Sequence, residues 1–278
     1  MKVLDLNRKD LTTETADERW ERLSRDRIVR PLPKKFYVLA TVTDELCIAL
    51  DGRVVKTPMK AKLILPSRRL AEAVAAEWNA QIDVINPAAM PLTKLANTAI
   101  DRAGGERSFV AGQVVEFSGS DMVCYRANED AALQILQSSA WDPIIRWAEA
   151  AMGVKFSIVN GVMHQAQPPE TIAAVAKHVA GLDEFRLTVA HNLTTLTGSA
   201  LLGLMLVASK IAPDAGWQAA HVDEDFQIAV WGTDEEAAQR RVWRRIDFDG
   251  SLQFLNLLCL PPHAGEERGP LNEVRWDR

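Results

Sequence analysis

The chain is poor in cysteine and has no clustered basic run and no apolar stretch at its start, and each of these absences removes a class of protein. The three cysteines, Cys47, Cys124 and Cys259, are odd in number and far apart, with no Cys-x-x-Cys pair. That spacing excludes a disulfide framework or a cysteine-based zinc site and fits reduced, partly buried thiols of an intracellular protein. No lysine-rich tail is present, and the formal net charge is -5. A nucleic-acid partner, which wants a clustered basic face, is therefore not expected. The opening residues, MKVLDLNRKDLTTETADERW, mix both charges and lack the apolar core of a secretory signal, so export is not expected either.

Catalytic and nucleotide-binding signatures are missing as well. Neither G-x-x-x-x-G-K-[ST] nor G-x-G-x-x-G occurs, and no G-x-S-x-G frames Ser118, Ser120 or Ser199, so phosphate cradles and a presented serine nucleophile are without support. The five histidines, at 164, 178, 191, 221 and 263, never recur at i, i+4. The nearest thing to a ligand cluster is His221 with Asp223, Glu224 and Asp225, an imidazole and oxygens that a metal could use. An acidic run on a solvated helix face is the commoner explanation of such a cluster. No catalytic residue, cofactor or metal is assigned. Asn192 to Ser209, NLTTLTGSALLGLMLVAS, is uncharged for 18 residues, about the length at which a membrane span must be considered. The threonines and serine of its first half argue for a buried helix, and no stable membrane insertion is expected.

What is present is an ordinary globular composition, 47% hydrophobic and 25% charged over 278 residues, enough for one or two domains of ~100–200 residues each. Residues 1–30 are polar, with Trp20, Leu23 and Arg27 near one stripe, and are expected to be an arm holding one short helix. From Lys35 the period changes. FYVLATV, LCIAL, RVVKT and KLILP are short β-branched and aromatic runs, with Asp51-Gly52 as a hairpin turn between two of them, and predict an antiparallel unit of about four strands over 36–65. Pro66 to Arg102 then holds two helices. In the first, Ser67 is the N-cap, Leu70, Val74 and Trp78 form one stripe, and Arg69, Glu72, Ala76 and Asn79 face away. In the second, Pro91 sits in the first turn and Leu92, Leu95, Ala96, Ala99 and Ile100 make a core face.

Beyond Gly104-Gly105, read as a break, the pattern is helical almost throughout. ERSFVAGQVVEFS supports a helix despite Gly112, a new helix is expected to start at Trp141-Asp142-Pro143, and VKFSIVNGVM reads as a strand or hairpin arm that could join the first sheet. DEFRLTVAHNLTTLTGSALLGLMLVASKI reads as one helical segment, and Trp231-Gly232-Thr233-Asp234 as a helix stop followed by a capped start. Residues 251–278 lose this order and are expected to be a weakly ordered tail. The predicted class is α+β: a small antiparallel β-rich domain over 31–103, including the helices that join it to the body, and a larger helical domain over 104–250. Most of the eight tryptophans, Trp78 and Trp141 among them, are expected to anchor helices in the core. Others could mark an exposed apolar contact surface, where tryptophan is enriched.

Six stretches together carry a family resemblance: LDGRVVKTP (50–58), LAEAVAAEWNAQ (70–81), INPAAMPLTKLANTAIDR (85–102), YRA (125–127), WDPIIRW (141–147) and VDEDFQIAVWGTDEEAAQRR (222–241). Over roughly residues 30 to 241 the chain resembles the assembly chaperones of the ATP synthase catalytic head that attend its alpha subunit. The resemblance implies a protein that is not an enzyme, that binds the free alpha subunit, shields the surface this subunit later gives to its beta neighbour, and releases it as the hexamer assembles. It implies a β-rich N-terminal part and a helical C-terminal part, and family members occur in mitochondria and related bacteria; a bacterial cytoplasm is expected here. Glu224 is the acidic residue carried over. With Asp223 and Asp225 it is expected to form an acidic rim, and Phe226 or Trp231 to supply part of an apolar patch, on a protein expected to be a monomer. Two other classes stay open: an enzyme using the His221 cluster, and a permanent structural subunit of a complex.

Overall fold

A computed structural model describes residues 32–103 and 105–258. The arm expected over 1–30, Gly104, Cys259 and the rest of the chain beyond it lie outside the described residues. Asp51 and Gly52 both take positive φ, 47° and 81°, the backbone that a two-residue primed turn requires. Their turn places β2 (Ile48–Leu50) against β3 (Arg53–Val54), with Leu50 opposite Arg53. β1 (Ala40–Val42) pairs antiparallel with the other edge of β2, which gives the order β1-β2-β3. The sheet has three strands rather than the four expected. The KLILP run keeps its alternation, with Leu63 and Leu65 buried and Ile64 exposed. Its N–H groups serve two neighbours, Leu63 donating to Val55 and Leu65 to Leu46, so no continuous ladder forms on either edge.

α1 (Arg68–Asn79) begins where expected, with the Ser67 side chain accepting from the N–H of Leu70, and buries Leu70, Ala71, Val74 and Ala75. Its C-terminal half reaches several other parts of the chain. Asn79, expected to face away, clamps the sheet: its Oδ1 accepts from Ala40 N at 2.7 Å and its Nδ2 donates to Ala40 O at 2.9 Å. The Tyr37 hydroxyl donates to the Trp78 carbonyl at 2.6 Å, and the two rings meet edge to face. Glu77 reaches forward to α2 (Pro91–Ala103), where Oε1 accepts from Leu92 N at 2.7 Å and Oε2 accepts from Thr93 N at 2.8 Å and from its hydroxyl at 2.7 Å. Burial pushes the Glu77 carboxyl above its ordinary range, while these donors pull the other way.

The helical body follows. α3 (Arg107–Gly119) leads into a 3-10 turn at Met122–Cys124 and then β4 (Tyr125–Arg126). α4 (Ala131–Met152) runs without a break through Pro143, which corrects the expected new start at Trp141. Pro143 removes one N–H donor and would ordinarily end a helix. The buried faces on either side, Gln137 and Trp141 before it and Ile144, Ile145 and Ala148 after it, hold the helix together across the gap. β5 (Val159–Asn160) pairs in parallel with β4, so it neither forms a hairpin nor joins the first sheet.

α5 (Pro169–Ala180) precedes α6 (Glu184–Thr197) and α7 (Ala200–Val207). The single segment expected there is broken at Gly198, which takes a left-handed φ of 72°. α6 and α7 then cross closely. A Cβ on Gly203 would lie 3.1 Å from the backbone nitrogen of Thr194. The Asn192 to Ser209 stretch is thus divided between two helices, and no described helix is long and apolar enough to cross a membrane. Asp121, fully buried, accepts from Leu201 N at 2.9 Å near the start of α7 and from Val123 N at 3.2 Å, and burial pushes its carboxyl up to about 6.

α8 (Pro213–Ala220), α9 (Val222–Trp231) and α10 (Glu235–Leu258) complete the chain. α10 passes through residue 250 and buries Ser251, Phe254, Leu255 and Leu258. The weakly ordered tail expected from 251 is therefore corrected for 251–258. The apolar period was present there, and its partners are α1, α2 and α6 far back in the chain. The Ser67 hydroxyl donates to Leu257 O at 2.6 Å, and a Cβ on Gly250 would fall 2.7 Å from that of Pro91.

Replacing Glu77 by alanine leaves two N–H groups and a hydroxyl at the start of α2 without their acceptor, and is expected to cost about 2–3 kcal/mol of stability. Urea melts of the variant measure this, and a loss below ~0.5 kcal/mol would show that α2 does not depend on the carboxylate. Trp78→Arg places a charge in the seam between α1 and the sheet and is expected to unfold the protein, read as loss of the cooperative melt.

Candidate functional site

The break between α8 and α9 falls at His221, which is 2% exposed. Its Nδ1 lies 2.7 Å from the Trp217 carbonyl, so that nitrogen carries the hydrogen, and the imidazole lies over the Trp217 ring with centroids 4.0 Å apart. Burial lowers its pKa. The Trp217 carbonyl raises it, Arg241 and Arg244 lower it further, and Glu224 raises it. The ring is thereby held neutral at physiological pH. Nε2 is buried, with no hydrogen-bond partner among the described residues, 3.9 Å from Glu224 Oε2.

The three acids that follow do not form one rim. An α-helix advances about 100° per residue, so three consecutive side chains spread around most of its circumference. Asp223 turns toward α4, where its Oδ1 accepts from Gln137 Nε2 at 2.8 Å. Gln137 is itself buried and accepts from Ala127 N through its Oε1 at 2.7 Å. Asp225 pairs with Arg241 on α10. Glu224 lies between them, partly exposed and near His221; the hydrogen bond to Asp225 raises the Arg241 pKa, and Glu224 adds to it. The His221 cluster therefore does not converge as a catalytic or ligand group, and no group of three His, Cys, Asp or Glu among the described residues could hold a metal ion.

The two apolar candidates also part company. Phe226 is half-buried and lines a groove of about 780 Å³ with Leu136, Pro143, Met205 and Ile211. Trp231 is 77% exposed at the end of α9. Beside it in the hairpin of α9 and α10 stand side chains the sequence reading did not single out as a site. Trp243 is 63% exposed, and Val230, Val242 and Ile246 are exposed as well. The signal was in RRVWRRID, where Val242 and Ile246 stand at i, i+4 outside the stripe that buries Phe248 and Ser251. A second groove of about 780 Å³ opens on the other side of α4 and holds Asp223, Gln137 and Trp141.

The ATP12 chaperone protein family model matches residues 34–149. The crystal structure of ATP12 from Paracoccus denitrificans superposes with a TM-score of 0.76 at 35% identity, over 82% of this chain and 99% of that one. A structure from Agrobacterium tumefaciens gives a TM-score of 0.77 at 42% identity, over 82% of this chain and 87% of that one. In sequence the chain is 22% identical over 267 residues to the mitochondrial ATP12 protein of Saccharomyces cerevisiae, covering 81% of this chain and 78% of that protein. An α+β protein with an unpartnered apolar helical face and no convergent catalytic groups among its described residues is the class these observations define. The chain belongs to the ATP12 chaperone family.

Because the folded pKa of His221 is lowered, the unfolded chain takes up a proton below about pH 6.5 that the folded protein resists. Stability from this residue is present at neutral pH and is lost as pH falls through 6.5 toward the folded value. His221→Asn keeps a donor for the Trp217 carbonyl and removes the titration. The variant is expected to lose less stability than the wild type between pH 7 and pH 5.5, measured by urea melts at each pH. Equal slopes would mean that His221 does not titrate differently on unfolding.

Proposed function

We propose that this protein is a chaperone of ATP synthase assembly that binds the free alpha subunit of the catalytic head, covers the surface this subunit later gives to its beta neighbour, and releases it as the hexamer forms. The observation that carries the reading is the set of exposed apolar side chains on α9 and the first half of α10, Trp231 and Trp243 above all. A permanent subunit interface is larger and more apolar than an ordinary protein surface. A subunit waiting for its neighbour therefore aggregates unless such a face meets it. Tryptophans carried on helices suit this role, because they give large contact area at little cost in side-chain entropy. Glu224, partly exposed on the same helix as Trp231, orients the client electrostatically. We place its action in a bacterial cytoplasm; the yeast relative is named as mitochondrial.

Pull-downs with separately purified alpha and beta subunits test the client. Capture of alpha and not beta is expected, and capture of beta alone would overturn the assignment. Glu224→Lys is expected to abolish protection of the alpha subunit from aggregation while leaving the helical signal and melting temperature unchanged. Trp231→Ser and Trp243→Ser are each expected to weaken binding by about 10-fold or more. If protection survives all three changes, the hairpin face is not where the client sits.

A further inference from the structure

The groove that holds Asp223 shares no lining residue with the one that holds Phe226, and its chemistry differs. Its lining residues bring three carboxylates, those of Glu129, Asp130 and Asp223, and one guanidinium, that of Arg126. Arg126 is engaged from below. Its Nη1 donates to the carbonyls of Val123 and Tyr125, its Nη2 donates to Asp142 at 2.6 Å, and the side chain is almost wholly buried. Asp142 offsets that charge, so the groove keeps an uncompensated negative field. Asp130 is occupied as the cap of α4, accepting from Ala132 N and Leu133 N.

Asp223 is held differently. The buried Gln137 amide fixes its Oδ1 at 2.8 Å, and Oδ2 has no hydrogen-bond partner among the described residues. Around this carboxylate the walls are apolar. Met122, Leu133 and Trp141 line the groove, and Val162 and Met163 stand at its mouth, Val162 being 94% exposed. Such a site disfavours anions, and its carboxylates do not gather closely enough to hold a bare metal ion. A cation carried on an apolar body satisfies both features, since the carboxylate meets the charge and the walls meet the flanking side chains. The side-chain amides of Asn128 and Asn160, also in the lining, can meet the backbone of an extended chain.

We propose that this groove is a second client-contact site, which takes an extended protein segment carrying an arginine or lysine between apolar residues. The proposal rests on the chaperone reading above and adds to it a sequence preference that the hairpin face does not have. A client would then be held at two separated places, and the two contacts together bind more tightly than either alone.

The test uses the full chain and two short fluorescent peptides, one with an arginine flanked by valines and leucines and one with glutamine in its place, followed by anisotropy. The arginine peptide is expected to bind the wild type about 10-fold or more tightly than the glutamine peptide, and Asp223→Asn to remove that difference. Val162→Lys, at a fully exposed position that cannot disturb the core, is expected to weaken the arginine peptide selectively. Equal binding of the two peptides, no measurable binding of the arginine peptide, or unchanged binding by both variants overturns the proposal. Peptide discrimination without capture of the alpha subunit would leave the groove standing and remove the named client. Capture of alpha without peptide discrimination would do the reverse.

Discussion

The carboxylate of Glu77 is the contact on which the arrangement of the protein turns. The start of any α-helix leaves N–H groups without partners inside the helix. At α2 two of these, on Leu92 and Thr93, are met by a side chain of α1 and not by a local cap. One residue thus fixes how α1 and α2 cross. The same helix holds β1 through Asn79 and receives the Tyr37 hydroxyl at Trp78. Its cap, Ser67, donates to Leu257 near the end of α10, and Gly250 of α10 packs against Pro91 at the start of α2. A side chain at 250 would force these helices apart, which is why the last helix can close onto the first two only with glycine there.

Asp121 repeats the device at α7, where a buried carboxylate again serves a helix start far away in sequence. The difference lies in what surrounds it. α7 is buried along nearly its whole length, and Asp121 sits where burial opposes its charge. α9 is the opposite case, a helix with no fully buried residue. α10 joins the two regimes. Its second half buries Phe248, Phe254 and Leu255 in the core, and its first half carries Trp243 outward. A continuous helix anchored at one end presents the exposed face of the hairpin without asking the core to adapt to a partner.

The sequence revealed those parts of the fold whose signals are local. The Asp51-Gly52 turn, the Ser67 cap, the Pro91 start and the Gly232 stop can each be read from a few neighbouring residues. What it hid depends on partners distant in the chain. Nothing near Ser251 to Leu258 says that α1 and α2 await them, so an apolar run next to a proline-rich stretch read as a tail. Nothing near Asn79 says that Ala40 is opposite. The candidate site was legible in the same uneven way. The residue types at 223–225 alone read as a solvated acidic face; it was the family resemblance that put 223–226 and 231 forward as contact residues, and helix geometry divides them, sending Asp223 to Gln137, Asp225 to Arg241 and Phe226 into the apolar groove. Trp243 was overlooked because arginines surround it, and those arginines are turned toward other elements: Arg241 to Asp225, Arg244 to the Leu196 carbonyl, Arg245 to Asp214 and Asp249.

Pro143 shows how the core and the surface are coupled. It cannot donate to the carbonyl of Ser139, and both residues line the groove that holds Phe226. A helix in water would bend or end there. α4 continues because Trp141, one of the largest fully buried side chains, donates its indole N–H to the Ala219 carbonyl of α8 at 2.7 Å, and Ile144 packs in the core directly after the proline. The helix therefore continues, and its sides wall two grooves, with Leu133, Gln137 and Trp141 on one and Leu136, Ala140 and Pro143 on the other. Strong packing at Trp141 lets the wall of a surface groove carry a backbone acceptor that the helix itself does not use.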